Sequence, residues 1–378
     1  MSEYNALTHK FDNQDVSTKI SDKQHFKTIG FSNRTLHLTF VINEIKPSNR
    51  YMIILQQINN LVRLKHKVTL ITYTAKPEWF PLEQRINYIQ VALDKDYTKF
   101  IVMCDLVIVT DLDDIVKCIG NSVAPVVYYV YTSWHNAYWQ SLSSEKKAYV
   151  YQQYQLPSFI LTFSEYNANQ IEKYFDVKAT AITSGINERI YYHQTNKKTI
   201  NKEIIITVIA SDQRHSKQIS IIKAVLDLLT KDKITYQFNW ITPSKPRLPL
   251  GYVYVNPKQS KIGEILRKTD IYIAVDLGTK YDMSILEAMA CGCVVITCKS
   301  EIMSDHINSK NNCMLIDEFE AQPLYDQISL LVNDEIARRE LQQNAINTVS
   351  ALGWSKVIVK FIAYYQKVAT YKVMQKNK

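Results

Sequence analysis

One carboxylate stands alone in an apolar helical segment of the second half of the chain. Residues 281–292 read YDMSILEAMACG, and the acid inside the helical part is Glu287. A buried carboxylate is costly without a partner. When ionised it only accepts hydrogen bonds, and it can take two hydroxyl donors. Its partner is therefore a ligand, a nearby lysine or backbone amides.

The first turn of the same helix offers a second kind of chemistry. A helix N-terminus presents free N–H groups and a partial positive charge, which suit an anion such as a diphosphate. Met283 and Ser284 occupy that turn. The loop before them, DLGTKYD at residues 276–282, is polar and has a single glycine.

The elements that position these groups follow from apolar runs in the sequence. Continuous runs rich in β-branched residues alternate with helical patterns, which predicts parallel sheets covered by helices on both faces. Strands are predicted at 35–42, 67–73, 105–111, 124–131, 158–164, 204–210, 236–242, 270–275, 293–297 and 313–317. Helices are predicted at 50–64, 165–175, 217–231, 261–269 and 283–290.

The pattern predicts two α/β domains, in keeping with a chain of 378 residues. Residues 1–33 are predicted to be a polar N-terminal extension, with a Rossmann-like domain at 34–190. A polar linker is expected at 191–203, then a second Rossmann-like domain at 204–350. Two such domains imply a cleft, because open α/β sheets bind ligands beyond the carboxyl ends of their strands.

The last segment, 351–378, is predicted to be a basic amphipathic helix. Its apolar residues fall at helical spacing on one stripe, namely Trp354, Val357, Ile358, Phe361, Ile362, Tyr365 and Val368. Lys356, Lys360 and Lys367 lie off that stripe. The helix therefore either packs on the body with solvated lysines or contacts a membrane surface through them.

Composition excludes several classes of protein. The chain carries a net charge of +9, and residues 351–378 contribute six lysines and no acid. That basicity suits phosphates or anionic lipid better than nucleic acid, because no motif of interleaved basic and aromatic residues is present. No apolar run approaches a membrane span, and the N-terminus lacks a signal-peptide core. The six cysteines lack zinc-site spacing and are expected to be reduced, mostly buried thiols of a cytoplasmic protein.

Four segments together resemble one enzyme family. ILEAMACGCVVIT is similar to the C-terminal signature of family 4 glycosyltransferases, which are retaining enzymes of the GT-B fold. FILTFSEYNANQIEKYFDVKATAITSGINERIYY, KIGEILRKTDIYIA and LGWSKVIVKFIAYY resemble other segments of that family. The stretch ASDQRHSKQISIIKAVLDLL is most similar to its bacterial rhamnosyltransferase branch.

The resemblance implies roles for particular residues. Glu287 would accept hydrogen bonds from the ribose of a nucleotide sugar, and Met283 and Ser284 would hold its diphosphate without a metal. Thr279, Tyr281 and Asp282 occupy the loop that contacts the transferred sugar. Asn256 and Lys258 lie where the family contacts the base.

The expected catalytic residues are Arg214, Lys217 and His135. A cation at Arg214 or Lys217 would stabilise the leaving diphosphate, although each is equally well an ordinary surface charge. His135 is the histidine nearest the strand end where the family places one, and the alternative is a structural histidine.

Four positions depart from the family pattern. Thr279 replaces an acid, Tyr131 a histidine and Ala210 an arginine, and NEIKPSNRYM lacks the glycines of a phosphate-binding loop. Arg50 or Asn49 could substitute there by side-chain contacts.

A further motif offers a competing interpretation. VTDLDD at 109–114 could bind a metal in the manner of GT-A enzymes, or it could begin a helix.

The resemblance therefore implies a retaining, metal-independent GT-B glycosyltransferase, with the acceptor domain at 34–190 and the nucleotide-sugar domain at 204–350. No cofactor is expected, since the nucleotide sugar is a substrate. The expected acceptor is a glycan or lipid-linked glycan of a bacterial surface polysaccharide. The expected location is the cytoplasm or the inner face of the membrane. The alternative function is a non-catalytic GT-B subunit that stabilises a partner glycosyltransferase.

Overall fold

The computed structural model describes residues 26–28, 34–121, 124–194, 203–276, 281–307 and 311–373. They form two α/β units, one within residues 1–183 and 358–378 and the other within 184–357. The predicted N-terminal extension lies outside the described residues, apart from 26–28, as do residues 195–202 of the predicted linker.

The first unit is built on a seven-stranded parallel sheet. Its strands run in the spatial order β4-β3-β2-β5-β6-β7-β8, and β1 pairs separately with β15. The strands are β1 (Phe26–Thr28), β2 (His37–Val41), β3 (Lys67–Thr72), β4 (Asn87–Gln90), β5 (Leu106–Val109), β6 (Val126–Val130), β7 (Phe159–Thr162), β8 (Thr180–Ala181) and β15 (Tyr371–Val373). The helices are α1 (Asn49–Arg63), α2 (Ile115–Asn121), α3 (Asn136–Ser141), α4 (Ser144–Tyr154) and α5 (Glu165–Phe175).

The second unit has a six-stranded parallel sheet in the order β11-β10-β9-β12-β13-β14. Its strands are β9 (Ile204–Ile209), β10 (Tyr236–Thr242), β11 (Tyr252–Val255), β12 (Ile271–Ile273), β13 (Val294–Cys298) and β14 (Met314–Ile316). Its helices are α6 (Ser216–Lys231), α7 (Gln259–Lys268), α8 (Met283–Ala290), α9 (Ala321–Asn333) and α10 (Glu335–Val349).

Each sheet contains one point where the chain reverses its direction of winding. In the first unit this switch point lies between β2 and β5, and in the second unit between β9 and β12. Loops that follow the two strands diverge there and leave a crevice at the carboxyl edge, where open α/β sheets bind ligands. Each unit therefore has a defined place for a site.

The central strands are buried because both of their faces are covered. All four residues of β5 and all five of β6 and β13 are buried, so their sequences show continuous apolar runs rather than alternation. Trp240 on β10 is fully buried in the core of the second unit, and its indole N–H donates to the carbonyl of Ala210 over 3.0 Å.

The turn after α8 requires a glycine. Gly292 has φ +80°, a left-handed conformation that side chains disfavour, and its N–H donates to the carbonyl of Met289 over 2.9 Å. A Cβ atom there would lie 2.5 Å from Nδ1 of His193. The ACGC sequence therefore ends the helix that carries Glu287 and starts the next strand.

The C-terminal helix α11 (Trp354–Val368) buries its predicted apolar stripe. From residue 358 onward it belongs to the first unit, where Phe361 and Tyr365 are fully buried. The amide of Gln57 on α1 donates to the Tyr365 hydroxyl over 3.0 Å inside this contact. Return of the terminal helix to the first unit is therefore confirmed, and its apolar stripe faces protein. No helix among the described residues is long and apolar enough to span a membrane.

Every predicted strand and helix is present, with ends displaced by about two residues at most except in the C-terminal helix. That helix is predicted at 351–378 but spans Trp354–Val368, and the strand β15 follows it. Helices α2, α3, α4, α9 and α10 and strands β1 and β15 are absent from the prediction, as are the strands β4, β8 and β11 at the sheet edges. The residues of these strands are half-buried or exposed, so no continuous apolar run marks them.

The boundary between the units differs from the predicted linker. The second unit begins at Ser184, because residues that precede the expected linker pack within it. Gly185 lies against the indole of Trp354, and the Glu188 carboxylate accepts from the Ser355 amide over 3.0 Å. Tyr191, the first residue of the expected linker, is 2% exposed.

Candidate functional site

Helix α8 positions the buried carboxylate of the second unit. Glu287 is 8% exposed, while Ile285, Leu286 and Ala288 around it are buried against the core. Burial, and to a lesser degree the charge of Asp282, raises the pKa of Glu287 to about 8. In the unliganded chain the carboxyl is therefore mostly protonated at neutral pH.

Tyr191 is the hydrogen-bonding partner that the sequence did not reveal. Its hydroxyl hydrogen-bonds with Glu287 and also donates to Oε1 of Gln259, the first residue of α7. Burial and the Glu287 carboxyl raise the pKa of Tyr191 well above its ordinary value, so the phenol keeps its proton. Tyr191 therefore links α7 and α8 at the site.

A single phenolic proton cannot be given to both neighbours. While the Tyr191 hydroxyl donates to Gln259, it can accept from a protonated Glu287 through a lone pair. When Glu287 ionises, the hydroxyl can donate to the carboxylate, and the Gln259 amide can turn to donate its own N–H. The three side chains can therefore accommodate either protonation state of Glu287.

Asp282 caps the N-terminus of α8. Its Oδ1 atom accepts from the Ser284 amide over 2.9 Å and from the Ser284 hydroxyl over 2.5 Å. A bound diphosphate would share this turn with a negative charge. The predicted diphosphate contacts of Met283 and Ser284 therefore stay predictions, with a carboxylate already at the Ser284 amide.

The other members of the predicted donor loop are only partly described. The Tyr281 ring packs edge-on to His306 with centroids 5.9 Å apart. Thr279 lies outside the described residues, so its predicted contact with the transferred sugar has no structural account.

The switch point of the second unit holds a histidine and a carboxylate. His215 follows β9 and Asp276 follows β12, and His215 Nε2 lies 3.1 Å from Asp276 Oδ1. The other ring nitrogen of His215, Nδ1, accepts from the Ser211 amide over 3.0 Å. The proton is therefore on Nε2, which donates to Asp276 and ties together the two loops of the crevice.

The predicted catalytic cations flank this pair. Arg214 and Lys217 are both exposed, on either side of the buried His215. They lie beside the loop of the switch point, where a ligand anion could reach them. The position of the missing family cation, Ala210, is buried at the end of β9.

The predicted base-contacting residues follow the edge strand β11. Asn256 adopts φ +43° and its amide donates to the Thr242 carbonyl over 2.7 Å. Lys258 is exposed and occupies the N-cap position of α7, directly before Gln259. Lys258 thus directly precedes Gln259, the residue of α7 that accepts from Tyr191.

The first unit places an arginine at its own switch point. Arg50, at the start of α1, donates through Nη2 to the Thr110 carbonyl and to Asp111 Oδ1, both over 2.8 Å. Its Nε atom is buried without a hydrogen-bond partner among the described residues. Arg50 rather than Asn49 thus lies over the carboxyl end of β5.

The acidic DLDD motif is divided among separate partners. Asp111 pairs with Arg50, Asp113 accepts from the Tyr149 hydroxyl over 2.5 Å, and Asp114 accepts from the Tyr97 hydroxyl over 2.6 Å. Asp111 also precedes the 3₁₀ turn Leu112–Asp114. The arrangement favours the helix-start interpretation of the motif over a metal-binding one.

His135 begins helix α3. Its Nδ1 accepts from the Tyr138 amide over 3.3 Å, which is a capping contact, and its ring lies against the Tyr138 ring. Tyr131 is at the end of β6, with its hydroxyl oxygen buried. The capping contact supports the structural interpretation of His135, and its catalytic role stays a prediction.

Known proteins resemble the chain both in part of its sequence and in its overall structure. Residues 252–348, which include α7 and α8, match the family model described as glycosyl transferases group 1. The structure is similar to sucrose-phosphate synthase of Thermosynechococcus elongatus, with a TM-score of 0.70 at 11% identity over 89% of this chain and 99% of that one. It is also similar to HepE of Anabaena in complex with UDP-glucose, with a TM-score of 0.69 at 13% identity over 88% of this chain and 99% of that one. The chain has the GT-B fold, and one segment of it matches the group 1 glycosyl transferase model.

One curated relative has a detectable sequence match. It is the N,N'-diacetylbacillosaminyl-diphospho-undecaprenol alpha-1,3-N-acetylgalactosaminyltransferase of Campylobacter jejuni, 26% identical over 118 residues. The match spans 31% of this GT-B protein and 31% of the relative's length. The predicted GT-B fold is confirmed, the match to the group 1 glycosyl transferase model covers residues 252–348, and the rhamnosyltransferase branch stays a prediction.

Sequence reasoning missed three residues of this GT-B site, namely Tyr191, His215 and Asp276. Tyr191 stands in a polar stretch that indicates a linker, and its partners are far along the chain. His215 and Asp276 follow the first and fourth strands of the second unit. The rule that the loops on either side of a switch point border one crevice could have paired these two residues from the strand order alone.

Proposed function

We propose that this chain is a glycosyltransferase that moves a sugar from a nucleotide-sugar donor to a glycan or glycolipid acceptor. The observation that carries the proposal is the buried Glu287 within the group 1 segment, hydrogen-bonded to Tyr191 beside the α7 N-terminus. A buried acid next to a convergent set of polar groups is characteristic of a binding site.

The donor side of the site follows from hydrogen-bonding chemistry. The hydroxyls of a ribose donate to Glu287, which accepts best when ionised. Arg214 and Lys217 stabilise the diphosphate that leaves. Asn256 and Lys258 contact the base from the loop before α7. UDP-, GDP- and dTDP-sugars all fit this chemistry.

We propose that transfer retains the anomeric configuration and needs no metal, as the family resemblance implies. The bond from the anomeric carbon to the diphosphate oxygen breaks, and a bond to the acceptor oxygen forms on the same face. The proton of the acceptor hydroxyl passes to the leaving diphosphate. His135 is retained as a candidate catalytic residue in this scheme.

The proposed acceptor is a growing glycan in bacterial surface polysaccharide or glycoconjugate synthesis. Support comes from the Campylobacter relative, whose name describes transfer to a sugar linked through diphosphate to undecaprenol. An acceptor of that kind lies at the membrane, so we propose a cytoplasmic protein that works at the inner membrane face. Exposed lysines of α11 would face the lipid.

The second candidate function is a non-catalytic GT-B subunit that steadies a partner glycosyltransferase. Asp282 favours it, because a carboxylate at the N-terminus of α8 repels a diphosphate. Ala210 favours it also, since no cation stands at the end of β9.

A donor screen separates the two functions. Hydrolysis of UDP-, GDP- and dTDP-sugars is measured for the wild type, Glu287→Ala and the control Glu264→Ala. Glu264 is a half-exposed acid on α7 that pairs with Lys261 and Lys268. Turnover that is lost only in Glu287→Ala supports the enzyme. Absence of both hydrolysis and nucleotide binding in the wild type rejects it.

A further inference from the structure

A cavity opens at the edge of the first sheet that is opposite its switch point. Its volume is about 400 Å³. His37, Lys67 and Asn87, which line it, are the first residues of β2, β3 and β4. Ligands of open α/β sheets usually bind at the carboxyl edge, so this amino-edge cavity is separate from the site proposed for transfer.

The charged residues that line the cavity are all basic, and the nearby Asp105, which accepts from the His37 amide over 2.7 Å, is paired with Arg34. We call this cavity the basic pocket. It is lined by nine residues, which are His37, Val62, Lys65, His66, Lys67, Val68, Thr69, Arg85 and Asn87. Three of them are permanent cations and none is a carboxylate. Glu83, two residues before Arg85, is already paired with Arg63 over 2.7 Å. The three cations therefore face the cavity without a neutralising acid in its lining.

Neutral donors add direction to this charge. His66 is 9% exposed, and its Nδ1 accepts from the Leu36 amide over 3.1 Å. Burial lowers the pKa of His66, which keeps the ring neutral with its proton on Nε2. The His37 ring is held by Thr69 through a contact of 2.9 Å between Nε2 and Oγ1.

The turn that carries Lys65 has a defined backbone geometry. Lys65 follows the end of α1 with φ +70°, and its amide donates to the Val62 carbonyl over 3.0 Å. Lys67 and His37 are direct partners in the register of β2 and β3. A left-handed lysine is an uncommon conformation for a residue with a side chain. The backbone of Lys65 is thus fixed by the turn after α1, and the backbone of Lys67 by the pairing of β3 with β2.

We propose that the basic pocket binds a phosphate or diphosphate group. Lysine and arginine supply charge, and the His66 and Asn87 N–H groups supply directed hydrogen bonds to phosphate oxygens. The volume exceeds that of a bare phosphate and admits an attached sugar or headgroup.

The test follows His66 directly. Inorganic pyrophosphate is titrated into the full chain labelled with ¹⁵N-histidine, and the His66 signal is assigned by its loss in His66→Gln. The double variant Lys67→Gln/Arg85→Gln should bind pyrophosphate more weakly, with a dissociation constant, read at His66, that is roughly tenfold higher or more. The control Lys76→Gln/Lys178→Gln removes the same charge from exposed positions of the same unit outside the pocket, and should leave it unchanged.

Two outcomes overturn the proposal. One is a His66 signal that does not move at millimolar pyrophosphate, and the other is an equal weakening in both double variants. Both readouts are independent of donor hydrolysis, so failure of the transferase proposal leaves this test intact.

A second arm identifies the source of the phosphate. Vesicles of phosphatidylcholine with phosphatidylglycerol are sedimented with the same proteins. Binding that is lost in Lys67→Gln/Arg85→Gln assigns the pocket to a lipid headgroup. A response to pyrophosphate without vesicle binding assigns it to a soluble phosphate ester.

Discussion

The Tyr191 hydroxyl and the Glu287 carboxyl form a hydrogen bond inside the second unit, at residues that are 2% and 8% exposed. The bond joins the segment after Gly185 to helix α8. The same hydroxyl reaches Gln259 at the start of α7. The protonation of Glu287 is therefore linked to the position of two helices, and pH becomes a direct probe of the site.

The stability of the protein should depend on pH through Glu287. The folded pKa of about 8 lies above the ordinary value of 4.5, so the folded chain binds more protons than the unfolded chain between these values. The free energy of unfolding therefore falls as pH rises through this window, by roughly 3–5 kcal/mol in total. The Glu287→Gln variant should lose this decline and be more stable than the wild type above about pH 8.

Scanning calorimetry at several pH values checks this prediction. All other titrating groups are shared by the two proteins, so the difference between their melting temperatures isolates Glu287. If the melting temperatures of the wild type and Glu287→Gln changed in parallel from acid to alkaline pH, the pKa of Glu287 would not be raised by folding.

Removal of the Tyr191 hydroxyl should weaken nucleotide-sugar binding. Tyr191→Phe leaves Glu287 without its donor, which raises the pKa of Glu287 further and disfavours the ionised acceptor of ribose. We expect a dissociation constant about tenfold higher at neutral pH, and a smaller effect in alkali. Isothermal calorimetry with a nucleotide sugar at several pH values measures both.

Tyr192→Phe is the matched control for this variant. Tyr192 is adjacent in sequence but 44% exposed, and its ring lies 4.5 Å from the Arg267 guanidinium. Loss of its hydroxyl should leave binding and its pH profile unchanged. An unaltered pH profile in Tyr191→Phe would reduce Tyr191 to a packing role.

The contrast between Glu287 and Tyr191 shows what local sequence can predict. Glu287 is conspicuous because the residues around it in the helix are apolar, and the end of α8 is marked by Gly292. Tyr191 has polar neighbours such as His193 and Gln194, so its burial leaves no local signal. Its partner Gln259 is 68 residues away, and a contact of that separation has no periodic pattern.

The same limit applies to two carboxylates in loops, Asp282 and Asp111. Asp282 belongs to a polar loop, which favours a ligand contact for it, whereas the structure uses it to cap α8. Asp111 follows a strand, as a metal ligand would, but Arg50 on α1 takes its charge. The sequence shows that a carboxylate is present at each position. Which ligand, backbone amide or side chain pairs with that carboxylate depends on tertiary packing.

Neutralising Asp282 should tighten donor binding. Asp282→Asn keeps a side-chain oxygen for the Ser284 amide and removes the charge that opposes a diphosphate. The pKa of Glu287 should fall as well, because Asp282 contributes to raising it. We expect nucleotide-sugar affinity to rise by roughly threefold to tenfold.

The control for this charge change is Asp334→Asn. Asp334 caps α10 in the same unit by accepting from the Ala337 amide over 2.9 Å. It should alter stability slightly and affinity not at all. If Asp282→Asn weakens binding instead, Asp282 itself contacts the donor, as the family resemblance implied.

Asp111 should act as the partner of Arg50 rather than as a metal ligand. Asp111→Asn removes the charge opposite a half-buried guanidinium, whose pKa Asp111 helps to raise. Because both side chains are about one-third exposed, the loss of stability should be modest, about 1 kcal/mol. Thermal unfolding with and without Mg²⁺ or Mn²⁺ measures it.

Asp113→Asn provides the comparison, because Asp113 accepts a hydrogen bond from the Tyr149 hydroxyl and is not the carboxylate that pairs with Arg50. Neither metal should raise the melting temperature of the wild type or of either variant. A metal-dependent rise that both substitutions remove would instead assign the DLDD motif to a cation. We expect no effect of the metals, because Asp111 is already paired with Arg50. Asp113 and Asp114 accept hydrogen bonds from two different tyrosines, Tyr149 and Tyr97.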